Sequence, residues 1–107
     1  MAYKKGYSFE RELKKHLRGT GWVVIRSGGS KKPDLVAAKD GKIMIIECKV
    51  TKDNKVYLAK EEVLHLKEVA EAFGGECMFA IKRKNKKWSL VDVSCLKETA
   101  CNFVAVL

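Results

Sequence analysis

The sequence predicts a single mixed α/β domain built around a sheet, and three observations predict it. Its 107 residues fall short of the roughly 150 of a typical domain, so one domain over residues 1–107 is expected. Apolar residues make up 47% and charged residues 33%, which is typical of a folded chain. Helix-like and strand-like segments follow one another in the order α-β-β-β-α-β-β, with no repeat and no linker.

Two segments carry apolar residues at helical spacing. The first begins with Ser8 as a predicted N-cap and has an apolar residue at every fourth position from Phe9 to Leu17. The second runs from Ala59 to Phe73 and stops at two glycines. We expect one helix from each segment.

The segments between and after the helices predict strands. Five of them are rich in β-branched and other apolar residues and read as strands: 22–25, 34–39, 42–50, 77–83 and 88–93. Residues 51–57 are polar and basic and predict a connection without regular structure. Ser94 is expected to cap a short helix that ends near Cys101, and the apolar residues 103–107 predict a final strand or an interface segment.

The charge of the chain is strongly basic and unevenly distributed. Lys plus Arg number 22 and Asp plus Glu 13, so the net charge is +9. Residues 1–34 hold nine basic and three acidic groups, whereas residues 59–81 hold two basic and five acidic groups. This asymmetry predicts a polyanionic partner, nucleic acid before an anionic membrane surface, that meets one side of the molecule.

Apolar runs and cysteines bear on location. The longest apolar runs have five residues, against the roughly 20 that span a membrane, and the N-terminal residues lack the apolar core of a signal peptide. The four cysteines form no C-x-x-C pair, so we expect buried, reduced thiols rather than a zinc ribbon. The predicted location is cytoplasmic and nucleoid-associated, without secretion.

One predicted hairpin brings acidic side chains together. Asp40 and Gly41 between two apolar runs predict a two-residue turn, because a type I′ turn needs positive φ at both positions. That turn places Asp34 opposite Glu47, with their Cβ atoms about 5 Å apart. Lys49 lies on the same face as Glu47, since side chains alternate along a strand.

Two adjacent carboxylates repel each other and become favourable when they bind a divalent cation. The alternative is that Asp34 lies at a frayed strand end and that Glu47 pairs with Lys49. A β-bulge in either strand would also shift the register by one residue and separate the two acids.

The spacing of these residues resembles a known motif. Pro33-Asp34, then twelve residues, then Glu47-Cys48-Lys49, has the PD-(D/E)-x-K form of a large superfamily of metal-dependent nucleases. This resemblance implies a restriction-endonuclease-like αβββαβ core, with a mixed central sheet flanked by helices.

A more specific resemblance covers nearly all of residues 3–93. The segments that carry it are Lys4-Lys-Gly-Tyr-Ser-Phe-Glu-Arg-Glu-Leu13, Arg26-Ser-Gly-Gly-Ser30, Pro33-Asp34, Glu47-Cys-Lys49 and Lys55-Val-Tyr-Leu58. In these segments the chain resembles archaeal Holliday junction resolvases of the Hjc type, which implies a dimeric, magnesium-dependent endonuclease that cuts four-way DNA junctions in homologous recombination and repair.

The resemblance implies roles for individual residues. Glu10, Asp34 and Glu47 would be metal ligands for one or two Mg²⁺ ions per active site, with Mn²⁺ as a substitute. Lys49 would stabilise the transition state or orient the attacking water, and Ser30 would belong to the active site. Glu10 also lies in the first turn of the predicted helix, where the helix dipole favours an acid.

Basic residues around the predicted site are expected to bind DNA. By resemblance, Arg11 and Arg26 would contact phosphate or support the site. No recognition helix is evident, so we expect reading of junction shape rather than base sequence. The predicted DNA-contacting residues are Lys4, Lys5, Arg11, Arg26, Lys31, Lys32, Lys52 and Lys55.

Three positions depart from the pattern of the family. Many members have Arg where this chain has Lys32, which meets phosphate without a bidentate contact. Many have Val at Cys48, which should face away from Glu47. Many have Gln early in the second helix, where this chain has Glu62.

A homodimer follows from the implied substrate, because two symmetric cuts need two sites and a C2 dimer supplies them. The acidic segment 59–81 or the tail 103–107 is the expected interface, and recombination or replication proteins are further candidate partners. The alternative functions are a superfamily nuclease acting on duplex or flap DNA, a non-catalytic nucleic-acid-binding module, and a structural protein of chromatin or ribosome.

Overall fold

The computed structural model describes residues 3–27, 33–84 and 86–107. For residues 3–7 it describes the backbone only. The elements are α1 (Tyr3–Gly19), β1 (Val23–Arg26), β2 (Leu35–Lys39), β3 (Lys42–Thr51), β4 (Lys55–Ala59), α2 (Lys60–Phe73), β5 (Glu76–Arg83), β6 (Trp88–Asp92), a 3₁₀ helix (Val93–Cys95), β7 (Lys97–Glu98) and β8 (Asn102–Val106).

The central sheet has five strands in the order β1-β2-β3-β5-β6. Strands β3 and β5 run parallel, because α2 crosses between them, and every other neighbouring pair is antiparallel. The predicted mixed central sheet is therefore confirmed.

The two helices cover opposite faces of this sheet. Neighbouring residues of β3 point to opposite sides: Ile46 packs with Leu13 of α1, whereas Ile45 packs with Val63 of α2. The apolar stripe predicted for the first helix is buried, and it contributes Phe9, Leu13 and Leu17 to the α1-side core. The sheet is thus flanked by helices, as expected.

A second, three-stranded sheet was not predicted, and it corrects the expectation of one sheet. Its order is β4-β8-β7, and β4 occupies part of the segment expected to be a polar connection over residues 51–57. Val56 and Leu58 are buried while Lys55 and Tyr57 are exposed. This alternation is that of a half-buried strand, and it outweighs the polar composition. The strand alternative for residues 103–107 is confirmed by β8.

The short helix predicted from Ser94 to about Cys101 is wrong. The Asp92 side chain accepts hydrogen bonds from the backbone N–H of Ser94 at 2.9 Å and from its hydroxyl at 2.8 Å. This capping gives only a three-residue 3₁₀ helix, after which the chain extends into β7 and pairs with β8.

The start of α1 also differs from the prediction. The helix begins at Tyr3, so Ser8 lies inside it and is not its N-cap. Extending an existing helix gains one hydrogen bond for each residue fixed, so a potential cap does not stop it. Glu10 consequently lies in the third turn, and the helix-dipole argument for it is wrong. The helix ends at Gly19, just before Gly21 with φ +97°, and the N–H of Trp22 donates to the Leu17 carbonyl at 3.0 Å.

All four cysteines are free thiols, but only some are buried. Cys77 is buried and Cys48 is half-buried, whereas Cys95 and Cys101 are exposed beside the small sheet. The expectation of buried thiols therefore fails for the last two. Across the described ranges, no helix is both long and apolar enough to cross a membrane.

Candidate active site

The β2–β3 hairpin has the predicted register. Asp40 and Gly41 have φ of +50° and +82°, as a type I′ turn requires. The ladder runs without a bulge from Lys39 opposite Lys42 to Leu35 opposite Ile46. Continuing it by one residue brings Asp34 to Glu47.

Asp34 is anchored at the end of this ladder and is not frayed. Its Oδ2 accepts a hydrogen bond from the backbone N–H of Cys48 at 2.8 Å. Burial raises the pKa of Asp34, the Cys48 hydrogen bond lowers it, and the nearby charge of Glu10 raises it again. The carboxylate is therefore fixed in place within a partly desolvated environment.

Glu47 is the more strongly perturbed of the two acids. Burial, followed by the negative charge of Asp34, raises its pKa from 4.5 to about 7, and Lys49 only partly opposes this. The raised pKa means that nearby positive charge does not balance the negative charge of these two carboxylates. A cation bound between the two carboxylates would supply the missing positive charge.

Glu10 lies on α1 and has only 8% of its surface exposed. Its carboxylate accepts a hydrogen bond from the Arg26 guanidinium at the end of β1. The third predicted metal ligand is thus close enough to Asp34 to raise its pKa, but it is engaged by an arginine.

The geometry as it stands fits a cation held by few protein oxygens. In the described part of the chain, no three His, Cys, Asp or Glu side chains are close enough together to hold a metal ion. Asp34 and Glu47 do offer two adjacent carboxylates. Mg²⁺ usually binds through one or two carboxylates and keeps several waters, so the residues present fit such an ion.

Lys49 contacts a residue that sequence reasoning did not connect with it. Its Nζ donates to Oε2 of Glu62 at 2.6 Å, and both side chains are about one-third exposed. The alternative that Lys49 pairs with Glu47 is therefore not what the structure shows. Glu62 lies in the first turn of α2, on the face of the sheet to which Lys49 points. The sequence feature that could have indicated this contact is the acidic residue in the first turn of the predicted second helix.

Cys48 faces away from Glu47, as predicted. It packs against the α1-side core with Ile46 and Phe9. Burial first, and then the charges of the neighbouring acids, raise the pKa of the Cys48 thiol well above its ordinary value. The residue remains a neutral thiol.

The predicted DNA-contacting residues are only partly described. Arg11, Arg26, Lys52 and Lys55 are exposed, and Lys4 and Lys5 lie in the backbone-only part of α1. Ser30, Lys31 and Lys32 lie outside the described residues.

The basic segment 82–87 begins at the same end of the sheet as Lys49. Because β5 runs parallel to β3, Arg83 is paired with Thr51, and the Lys84 N–H donates to the Thr51 carbonyl at 2.7 Å. Basic charge therefore continues across this end of the sheet, where the acidic pair also lies.

Comparisons with known proteins agree with the resemblance. The family model described as "Archaeal holliday junction resolvase (hjc)" matches residues 1–106. A protein of Methanocaldococcus jannaschii named crossover junction endodeoxyribonuclease Hjc is 49% identical over 80 residues, which are 75% of this chain and 60% of that protein. A protein of the same name from Archaeoglobus fulgidus is 38% identical over 104 residues, covering 92% of this chain and 76% of the relative. The chain thus spans about three-fifths to three-quarters of the length of these relatives.

A solved structure confirms the fold class. The 1.6 Å structure of Archaeoglobus fulgidus Hjc, described as a Holliday junction resolvase from an archaeal hyperthermophile, superimposes with a TM-score of 0.89 at 35% identity. The match covers 95% of this chain and 84% of that one. From its sequence, its hairpin site and its fold, the chain belongs to the archaeal Holliday junction resolvase (Hjc) family.

Proposed function

We propose that this chain is a metal-dependent endonuclease that resolves four-way DNA junctions by hydrolysing a phosphodiester bond in each of two strands. The observation that carries the proposal is the Asp34–Glu47 pair, two half-buried carboxylates at one end of a basic sheet. A protein that only binds phosphate gains nothing from two acids that repel it. The names of the relatives supply the junction as substrate.

The proposed cofactor is a divalent cation, with Mg²⁺ as the natural ion, one or two per site, and Mn²⁺ as a substitute. When bound, the ion supplies activation of the attacking water and neutralises the charge that develops on the phosphate. Asp34 and Glu47 would hold it, and Glu10 would join them if Arg26 moved away. The oxygen-only donor set suits Mg²⁺.

The remaining site residues act through positive charge. The Lys49 ammonium, next to Glu47 on the same strand face, would stabilise the pentacoordinate phosphate or orient the water. Arg26 would exchange its contact with Glu10 for a DNA phosphate. Exposed basic residues around the site would hold the DNA backbone, so binding should weaken steeply with salt.

Two symmetric cuts require two sites, and we propose a C2 homodimer that supplies them. Leu64 and Phe73 on α2 are large apolar side chains with more than half of their surface exposed, which supports α2 as part of the interface. Val106 on β8 is similarly exposed and supports the tail. A monomer at micromolar concentration with full activity, seen by sedimentation, would contradict the dimer. A junction substrate implies action at the nucleoid in the cytoplasm, beside recombination or replication proteins.

The test is Mg²⁺-dependent cleavage of a synthetic four-way junction by the wild type, Asp34→Asn and Glu47→Gln. Each variant should lower the cleavage rate by about 1000-fold, because a cation ligand is lost, and should keep or tighten junction binding, because negative charge is removed. Glu61→Gln is the matched control: it removes one exposed acid from α2 that is in no ion pair within the described residues.

The outcomes separate the alternatives. Cleavage by Glu47→Gln near the wild-type rate would contradict the site. Equal cutting of a linear duplex or a flap at the same salt concentration would favour a different nuclease of the superfamily. Binding of the junction without any cleavage in Mg²⁺ or Mn²⁺ would favour a non-catalytic binding module.

A further inference from the structure

Lys49 stands between two possible partners, and the structure shows which one it takes. Glu47 lies two residues earlier on the same face of β3, and Glu62 approaches from the first turn of α2. The Lys49 ammonium is 2.6 Å from Glu62, whereas no ion pair within 4.0 Å joins it to Glu47 in the part of the chain that is described. Lys49 affects Glu47 through space only.

This choice matters because an ammonium and a metal ion compete for the same carboxylate oxygens. A lysine seated on Glu47 would have to leave before a cation could bind there. A lysine held by a third carboxylate leaves the oxygens of Glu47 open, while its charge remains near the scissile phosphate. The three acids Asp34, Glu47 and Glu62, against one lysine, also leave a net negative site that suits a dication.

We propose that Glu62 is a positioning residue of this site: by holding the Lys49 ammonium, it keeps Lys49 off the Glu47 carboxylate and leaves that carboxylate for a divalent cation. This inference rests on the proposed function. Its chemistry needs no contact between Glu62 and either the metal or the DNA.

The position of Glu62 suits this role. Its neighbour Val63 is fully buried in the α2-side core, so the first turn of α2 is fixed against the sheet. The short, charge-assisted contact to Lys49 spans from this helix to β3, and it joins two rigid elements. An acid in the first turn also stabilises a helix through its dipole. Glu61, in the same turn, has that stabilising effect without contacting Lys49.

Glu61 therefore provides the matched control for a direct binding experiment. Mn²⁺ is added to the metal-free chain without DNA, and the free ion is followed by its electron paramagnetic resonance signal. Glu62→Ala should weaken Mn²⁺ binding about tenfold, because the Lys49 ammonium then pairs with the Glu47 carboxylate. Glu61→Ala should weaken Mn²⁺ binding by less than about threefold. Glu62→Gln keeps an acceptor oxygen for Lys49 and should fall between them. It also serves if Glu62→Ala does not fold.

A double-mutant cycle distinguishes positioning from simple loss of charge. In a Lys49→Met background no ammonium can occupy Glu47, so the additional effect of Glu62→Ala should shrink to that of Glu61→Ala. Equal effects of Glu62→Ala and Glu61→Ala in the wild-type background, or an unchanged tenfold effect with Lys49→Met, would overturn the inference.

The same titration reports separately on the proposed function. Asp34→Asn should abolish Mn²⁺ binding. If the wild type binds no Mn²⁺, or if Asp34→Asn binds it as well as the wild type, the metal site itself is wrong and the inference fails with it. If that control behaves as expected and the Glu62 variants do not, only the role of Glu62 fails.

Discussion

Two ion pairs flank the Asp34–Glu47 pair, and they differ in what they occupy. On the α1 side, Arg26 engages Glu10, an acid expected to bind metal. On the α2 side, Glu62 engages Lys49, a base expected to act on the phosphate. The first ion pair occupies Glu10, an expected metal ligand. The second ion pair leaves the Glu47 carboxylate without a lysine on it. In the proposed site, Asp34 and Glu47 would therefore take a cation as they stand, while the proposed contribution of Glu10 depends on Arg26 moving.

Burial explains why the two pairs behave differently. The Glu10 side chain is only 11% exposed, whereas half of the Arg26 side chain is exposed. Leaving a buried carboxylate without a partner is costly, so Arg26 stays until another cation takes its place. Lys49 and Glu62 are both about one-third exposed, so water partly screens that contact, and the proposed metal site does not require it to open. The comparison predicts an exchange on the α1 side: metal takes Glu10 and phosphate takes Arg26.

Of the two flanking ion pairs, the α1-side pair should give the larger effects when it is broken. Glu10→Gln should lower junction cleavage about 100-fold, with little change in junction affinity, because a ligand that joins late is lost. Arg26→Gln should instead weaken junction binding about tenfold and reduce the dependence of binding on salt by about one charge, because a phosphate contact is lost. Cleavage rates at saturating enzyme and binding isotherms at several salt concentrations measure these effects.

The control for this pair is another arginine, which lies on α1. Arg18→Gln removes an α1 arginine that donates to the Val24 carbonyl and lies outside the site. It should leave cleavage at saturating enzyme unchanged. If Arg26→Gln lowers cleavage at saturating enzyme as much as Glu10→Gln does, and leaves binding intact, the exchange is wrong and Arg26 acts only by holding Glu10.

A smaller effect is expected on the stability of the metal-free protein. The pKa of Glu47 is raised from 4.5 to about 7 in the folded state, so the folded protein binds more protons than the unfolded chain between these values. Its stability therefore falls as pH rises from about 4.5 to about 7. Glu47→Gln, which cannot ionise, should be more stable than the wild type by about 1 to 3 kcal/mol at pH ~8 and no more stable at pH ~4.

Urea unfolding in the presence of a chelator measures this difference, with Glu61→Gln as the control that should show no such dependence on pH. Adding Mg²⁺ should then raise the stability of the wild type but not that of Glu47→Gln, since ligand binding stabilises only the state that binds. If the wild type loses no stability relative to Glu47→Gln between pH ~4 and pH ~8, the raised pKa of Glu47 is contradicted.

The sequence was sufficient to predict the pairing of Asp34 with Glu47, because the signals for that hairpin are local. Asp40-Gly41 fixes the turn, the turn fixes the register, and the register brings Asp34 to Glu47. The strand β4 also left a local signal, the alternation of buried Val56 and Leu58, although the polar composition of residues 51–57 concealed it.

The contacts that surround the pair are not local, which is why sequence reasoning did not find them. Glu10 meets Arg26 because α1 packs across the end of β1, sixteen residues away in sequence. Glu62 meets Lys49 because α2 returns over the sheet after β4, the strand that was not predicted. Such pairings depend on how helices lie on the sheet, and spacing along the chain does not encode them.

The most direct test of the account is a crystal structure of the metal-free protein and of the same crystals soaked in Mn²⁺, with the ion located by its anomalous scattering. We predict a peak in contact with both Asp34 and Glu47, with Lys49 still on Glu62. A peak elsewhere, or none at a Mn²⁺ concentration that supports cleavage, would contradict the central claim that these two carboxylates form the metal site.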